Sequence, residues 1–192
     1  MSRRPLRRRP AAVIGGRLAS VALFVLLAAP PPAVGADQQN RPRRVAASLS
    51  RYEQDVLRVV NDMRADAGRA RLSVSPGLTG AAERHTARMV RRGFFEHEAP
   101  GEAAFWHRIE RFYPSTGYEY WAVGENLAYG SPSLDPDEAL HEWMLSPKHR
   151  RSLLSRDWRE VGVAAVHVES APGEYGGNPT TVITLDLGVR RG

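Results

Sequence analysis

The chain has 192 residues, 42% hydrophobic and 8% aromatic, which is room for one ordinary domain with a core and excludes wholesale disorder. It has no cysteine, which excludes disulfide frameworks, thiolate metal sites, cysteine nucleophiles and lipidated-cysteine anchors. The formal charge of +6 belongs to the start: residues 1–36 carry six arginines and no acid, and the remainder balances at 21 basic against 21 acidic residues, which argues against nucleic acid as a partner.

Residues 1–36 read as a secretory signal peptide. Arg3, Arg4, Arg7, Arg8 and Arg9 precede an apolar run from Leu18 to Ala29, and Ala33-Val34-Gly35-Ala36 presents small residues for cleavage after Ala36. The run is shorter than the ~20 residues of a membrane-spanning helix; an uncleaved anchor is the alternative. Arg3-Arg4 also resembles a twin-arginine signal, so the export route stays open. No second apolar stretch of membrane length follows, and the mature protein is expected to be secreted, with no transmembrane segment. Residues 37–49 are polar and without periodicity, a flexible arm.

A domain over 50–192 follows. Ser50 with Glu53 forms a capping box, and Tyr52, Val56, Val59, Val60 and Met63 recur at helical spacing, predicting a helix over 50–66. A second helix is expected over 76–92, with Leu78, Ala81, Ala82, His85 and Met89 on one face and Gly93 as the stop. Residues 102–112 form a short helix before Pro114. Residues 118–129 are apolar enough for a strand meeting Gly124-Glu125-Asn126. Asp135-Pro136-Asp137-Glu138 starts a helix that carries Ala139, Leu140, Trp143 and Met144, and Ser146 caps a short one over 147–154. Strands over 161–168 and 181–187, joined by a Gly- and Pro-bearing loop, make an antiparallel hairpin. Helices with a small, mostly antiparallel sheet define an α+β domain.

Of the six histidines, His85, His107, His141 and His167 fit structural positions. His97 and His149 sit at element junctions, where side chains are turned into clefts. Glu125 is a carboxylate in an apolar stretch and needs a partner. Two imidazoles and a carboxylate are a donor set for Zn²⁺ with an open fourth position. With a carboxylate nearby, at least one of the two imidazoles is expected to titrate above the usual ~6.5. Motifs for serine hydrolases, phosphate loops, His-Glu-x-x-His metalloproteases and dinucleotide folds are absent from the sequence.

Several segments, in order, resemble the CAP superfamily (cysteine-rich secretory proteins, antigen 5 and pathogenesis-related proteins) in its bacterial SCP-like form. They are Val60-Asn61-Asp62-Met63-Arg64, Ala82 to Met89 with Phe94-Phe95-Glu96-His97, Gly124-Glu125-Asn126-Leu127-Ala128, Trp143 to Arg150, and Val161-Gly162-Val163. The resemblance spans about residues 50–188. It implies a three-layer α–β–α sandwich with a cleft of two histidines and two acids that binds a divalent metal in some relatives. Carried over, the site residues are His97, His149 and Glu125. The second acid does not transfer: its position holds Ser146, and nearby Glu142 lies on the polar helix face. The expected function is that of a secreted, non-enzymatic CAP domain acting in the cell envelope or outside it on a lipid or protein ligand. The alternative is a metal-dependent hydrolase in which zinc or another divalent metal at His97 and His149 activates water and Glu125 serves as base.

Overall fold

The computed structural model describes Leu27–Ala28 and residues 48–192. Apart from that dipeptide, the leader expected at 1–36 and the arm as far as residue 47 lie outside the described residues.

Helix α1 (Arg51–Asp66) starts at the expected capping box, in which the Ser50 hydroxyl accepts from the Glu53 N–H and Glu53 accepts from the Ser50 N–H. The second Glu53 oxygen accepts the Ala165 N–H at 3.0 Å, so the residue that caps α1 also fixes it to the sheet. Helix α2 (Pro76–Arg92) stops at Gly93, whose φ of 69° is left-handed and whose missing Cβ makes room for the Pro172 carbonyl. Helix α3 (Phe105–Glu110) is shorter than the expected 102–112, and Glu102 lies ahead of it in an ion pair with Arg88. Helix α4 (Pro136–Leu145) carries the expected cap, with Asp135 and Glu138 in a reciprocal box. Helix α5 (Pro147–Leu153) follows Ser146, but the Ser146 side chain makes no capping bond.

Among the described residues five strands form one sheet in the order β1–β3–β5–β4–β2. The long ones are β3 (Tyr120–Gly130), β4 (Glu160–Val168) and β5 (Thr180–Arg191), all antiparallel neighbours through β5. The β4–β5 hairpin is the expected one, with β5 longer than anticipated because β3 pairs with it over its whole length. Two short strands complete the edges. β1 (Leu27–Ala28) pairs antiparallel with β3, and β2 (Ser73–Val74) pairs parallel with β4.

Helices α1, α4 and α5 cover one face and α2 and α3 the other, which is the expected α–β–α sandwich. On the first face Val56, Val60, Trp143, Leu153 and Trp158 pack against Ile183, Leu185, Leu187 and Val189. Trp143 is fully buried and donates its indole N–H to the Leu127 carbonyl at 2.8 Å, so its polar handle is satisfied inside an apolar layer.

Candidate functional site

Strand alternation places the next residue along on the other face. Between Leu185 and Leu187 lies Asp186, directly opposite Glu125 on β3 and beside Gly162 on β4. A Cβ on Gly162 would meet the Leu78 and Thr79 backbone at 2.1–2.4 Å, so α2 rests directly on the sheet there. That contact brings His85, about two turns further along α2, over the strand that carries Glu125.

Glu125 is the hub. Its Oε1 accepts from His97 Nδ1 at 2.7 Å, and its Oε2 is paired with the Arg108 guanidinium through Nη2. Arg108 also donates through Nη1 to the His97 carbonyl at 3.1 Å, and its Nη2 lies 3.9 Å from Asp186 Oδ1. A carboxylate only accepts, so His97 carries its proton on Nδ1, and its buried Nε2 has no hydrogen-bond partner. His85 sits 3.9 Å from Glu125 Oε1 and donates from Nε2 to the Glu96 carbonyl at 2.9 Å. Glu125, Asp186, His85, His97 and His149 are all buried.

Burial alone would raise the Glu125 carboxyl. The Arg108 charge, His85 and the His97 hydrogen bond outweigh it and hold Glu125 below the usual carboxylate range. Burial and the facing Glu125 charge push Asp186 the other way, well above its ordinary value, with Arg108 offsetting part of the effect. Two carboxyls on facing positions of adjacent strands thus hold different protonation preferences. Burial lowers His85 to about 4 despite the neighbouring carboxylate. Burial, aided by His97, also lowers His149 to about 4, so His149 is not the imidazole in which the expected rise occurs.

The expected site residues are therefore placed as follows. His97 and Glu125 are in direct contact. His149 is buried on α5, where its carbonyl faces Asn126 Nδ2 at 3.5 Å and its ring feels the His97 charge. Glu142 is half-buried on α4, with no bond to the cluster. His85 occupies the expected core position and in addition touches the hub. Arg108 and Asp186 are functional-site residues that sequence reasoning missed.

The divalent metal implied by the resemblance fits this arrangement poorly. Both Glu125 oxygens are engaged, one by an imidazole N–H and one by a guanidinium that already supplies positive charge. Among the described residues no three His, Cys, Asp or Glu side chains are gathered as a metal-ligand set. His97, His149 and Glu125 do not form the expected zinc triad here, because Arg108 stands where a cation would meet the carboxylate.

Residues 57–183 match the model of the cysteine-rich secretory protein (CAP) family. The chain belongs to this family. The Bacillus subtilis protein YkwD is 28% identical over 131 residues, covering 68% of this chain and 49% of its own length. The B. subtilis membrane protein YlbC is 27% identical over 111 residues, 58% of this chain and 30% of its own. The chain thus spans half or less of the curated relatives it matches. Its CAP fold is shared with an outer surface protein of Borrelia burgdorferi (TM-score 0.57, 17% identity, 72% of this chain and 95% of that one). It is also shared with an extracellular SCP-domain protein of Bacillus anthracis (TM-score 0.54, 23% identity, 73% and 40%). Among the described residues no helix of this CAP domain is long and apolar enough to cross a membrane.

Proposed function

We propose that this CAP domain is exported and acts outside the cytoplasmic membrane as a non-enzymatic binding module for an envelope lipid or protein ligand. The observation that carries the reading is the engagement of both Glu125 oxygens. A general base needs an available lone pair aimed at water or substrate, and a carboxylate held below its ordinary pKa by a buried guanidinium is a weak base. The arginine-rich start, the short apolar run and Ala33-Val34-Gly35-Ala36 support export, as do extracellular and surface proteins of the same fold. The rival reading is a hydrolase in which a metal at His97 and His149 activates water with Glu125 as base.

Metal analysis of the purified mature protein separates the two, alongside single His97→Asn and His149→Asn variants. Sub-stoichiometric zinc in all three proteins, with folding retained, is the expected result. One equivalent of zinc in the parent, lost in both variants, would sink the binding reading and restore the hydrolase. Amino-terminal sequencing of exported material should begin at Asp37; a start at Met1 would contradict export with cleavage.

A further inference from the structure

A groove of about 550 Å³ runs between α2 and α3, on the outer side of the buried cluster. That volume lies within the ~300–1,000 Å³ of small-molecule sites. Its walls carry the guanidiniums of Arg84, Arg88, Arg108 and Arg111 against one carboxylate, Glu102. Glu102 is committed to Arg88 through two hydrogen bonds, and those bonds, aided by the charges of Arg88, Arg92 and Arg111, hold it below the usual carboxylate range. Neither Arg84 nor Arg111 forms an ion pair among the described residues. Residues 37–192 balance their formal charges, so this concentration is local and is not a reflection of overall basicity.

Arg108 supplies a second, independent observation. Its side chain is only 10% exposed, Nη1 and Nη2 are used within the cluster, and the buried Nε–H has no acceptor. An unmet buried donor is costly, and here it belongs to a residue that lines a groove of positive charge. Phe112 adds an apolar surface to the same walls.

We infer that this groove binds a small ligand carrying two or more phosphate groups. Arg84 and Arg111 each present a planar fork of donors that matches phosphate oxygens, while Arg88 and Arg108, whose terminal nitrogens are already engaged, add positive charge to the same walls, so clustered phosphates are met by two forks and four cations. The inference deepens the binding-module reading and rests on it: the ligand is held by the arginine groove, while the Glu125 cluster braces Arg108 from behind. The phosphates could be free in solution or displayed on a lipid headgroup, and the test separates these sources.

The test uses the mature protein and two double variants, Arg84→Gln/Arg111→Gln in the groove and Arg150→Gln/Arg151→Gln on α5 as a charge-matched control. All four side chains are exposed, so both variants should keep the parent melting temperature. The probes are inorganic triphosphate, followed by calorimetry at low and high salt, and phosphatidylcholine vesicles with and without cardiolipin, whose headgroup carries two phosphates, followed by flotation. Saturable triphosphate binding is expected, weaker at high salt and reduced about tenfold or more in the groove variant but not in the control. Binding to the cardiolipin vesicles with the same dependence on Arg84 and Arg111 would identify a headgroup as the source; triphosphate binding alone would identify a free ligand. No saturable binding, or equal losses in both variants, would overturn the groove. Zinc content of the same preparations keeps the two readings apart. Stoichiometric zinc with intact phosphate binding would defeat the non-enzymatic reading alone, and zinc-free protein that ignores phosphate would defeat the groove alone.

Discussion

Along β5, Ile183, Leu185, Leu187 and Val189 face α1 and α4, whereas Thr184 and Asp186 face α2. The same strand therefore faces two materials. On the first side Trp143 and its neighbours make an apolar layer whose few polar atoms, such as the Trp143 indole N–H, bond to backbone. On the second side Glu125, Asp186, His85 and His97 are buried beside Phe94 and Phe105, and with the half-buried Arg108 they are held by one another. Burial of apolar surface is non-directional and tolerates small shifts. Burial of charge demands matched partners, since removing one leaves the other desolvated and unpaired. The second side is not charged throughout, since Leu78, Ala81, Met89, Phe105 and Val123 pack apolar clusters around the cluster of charges, so both sides hold the fold and only one of them also buries charge.

The largest expected effect lies on the apolar side. Trp143→Ala should cost about 3–5 kcal/mol in denaturant unfolding, the range for emptying a buried aromatic site. A loss below about 1 kcal/mol would show that the layer does not depend on its largest side chain.

On the α5 flank the expected effect is a pH dependence. His149 has a folded pKa of about 4 against an ordinary value of 6.5. Between those values the unfolded chain binds the extra proton, so stability rises with pH across this window, levels off above it, and is lost as pH falls towards 4. Comparing the parent with His149→Gln isolates this group from His85 and Asp186. The parent should gain about 2–3 kcal/mol more than the variant between pH 4 and 6.5. Equal slopes would mean that His149 is solvated in the fold.

The chain made the apolar side easy to read. The capping residues Ser50, Glu53, Asp135 and Glu138, the stop at Gly93 and the helical spacing around Trp143 are local signals, and the elements stand within a few residues of where those signals place them. On the charged side, His97 was legible from its place at an element junction, and Glu125 as a carboxylate in an apolar stretch that the structure makes the middle of β3. Arg108 was not, because an arginine between the apolar residues of a short helix looks like any solvated residue on its outer face. Asp186 alternates with Leu185 and Leu187, the pattern of a strand with one wet face; only the second helical layer buries it. The one available signal was the sandwich implied by the family resemblance, since a carboxylate on a strand covered on both faces must have a partner. Strand β2, at two exposed residues, is too short to show a period.

The smallest effect is expected at Glu142, the acid nearest the family's vacant position. Glu142→Gln should change stability by no more than about 0.5 kcal/mol and leave metal content unaltered, as for a residue outside both layers. A larger change in zinc uptake would bring α4 into the charged side.

A double-mutant cycle between Arg108 and Glu125, followed by denaturant unfolding at neutral pH, tests the charged side most directly. Arg108→Met alone should cost about 3–5 kcal/mol, because it leaves a buried carboxylate without its cation. In Arg108→Met/Glu125→Gln that charge is gone, and the pair should be less destabilised than the sum of the single changes by about 2 kcal/mol or more. Additive costs would contradict a hub in which Arg108 is the resident cation of Glu125.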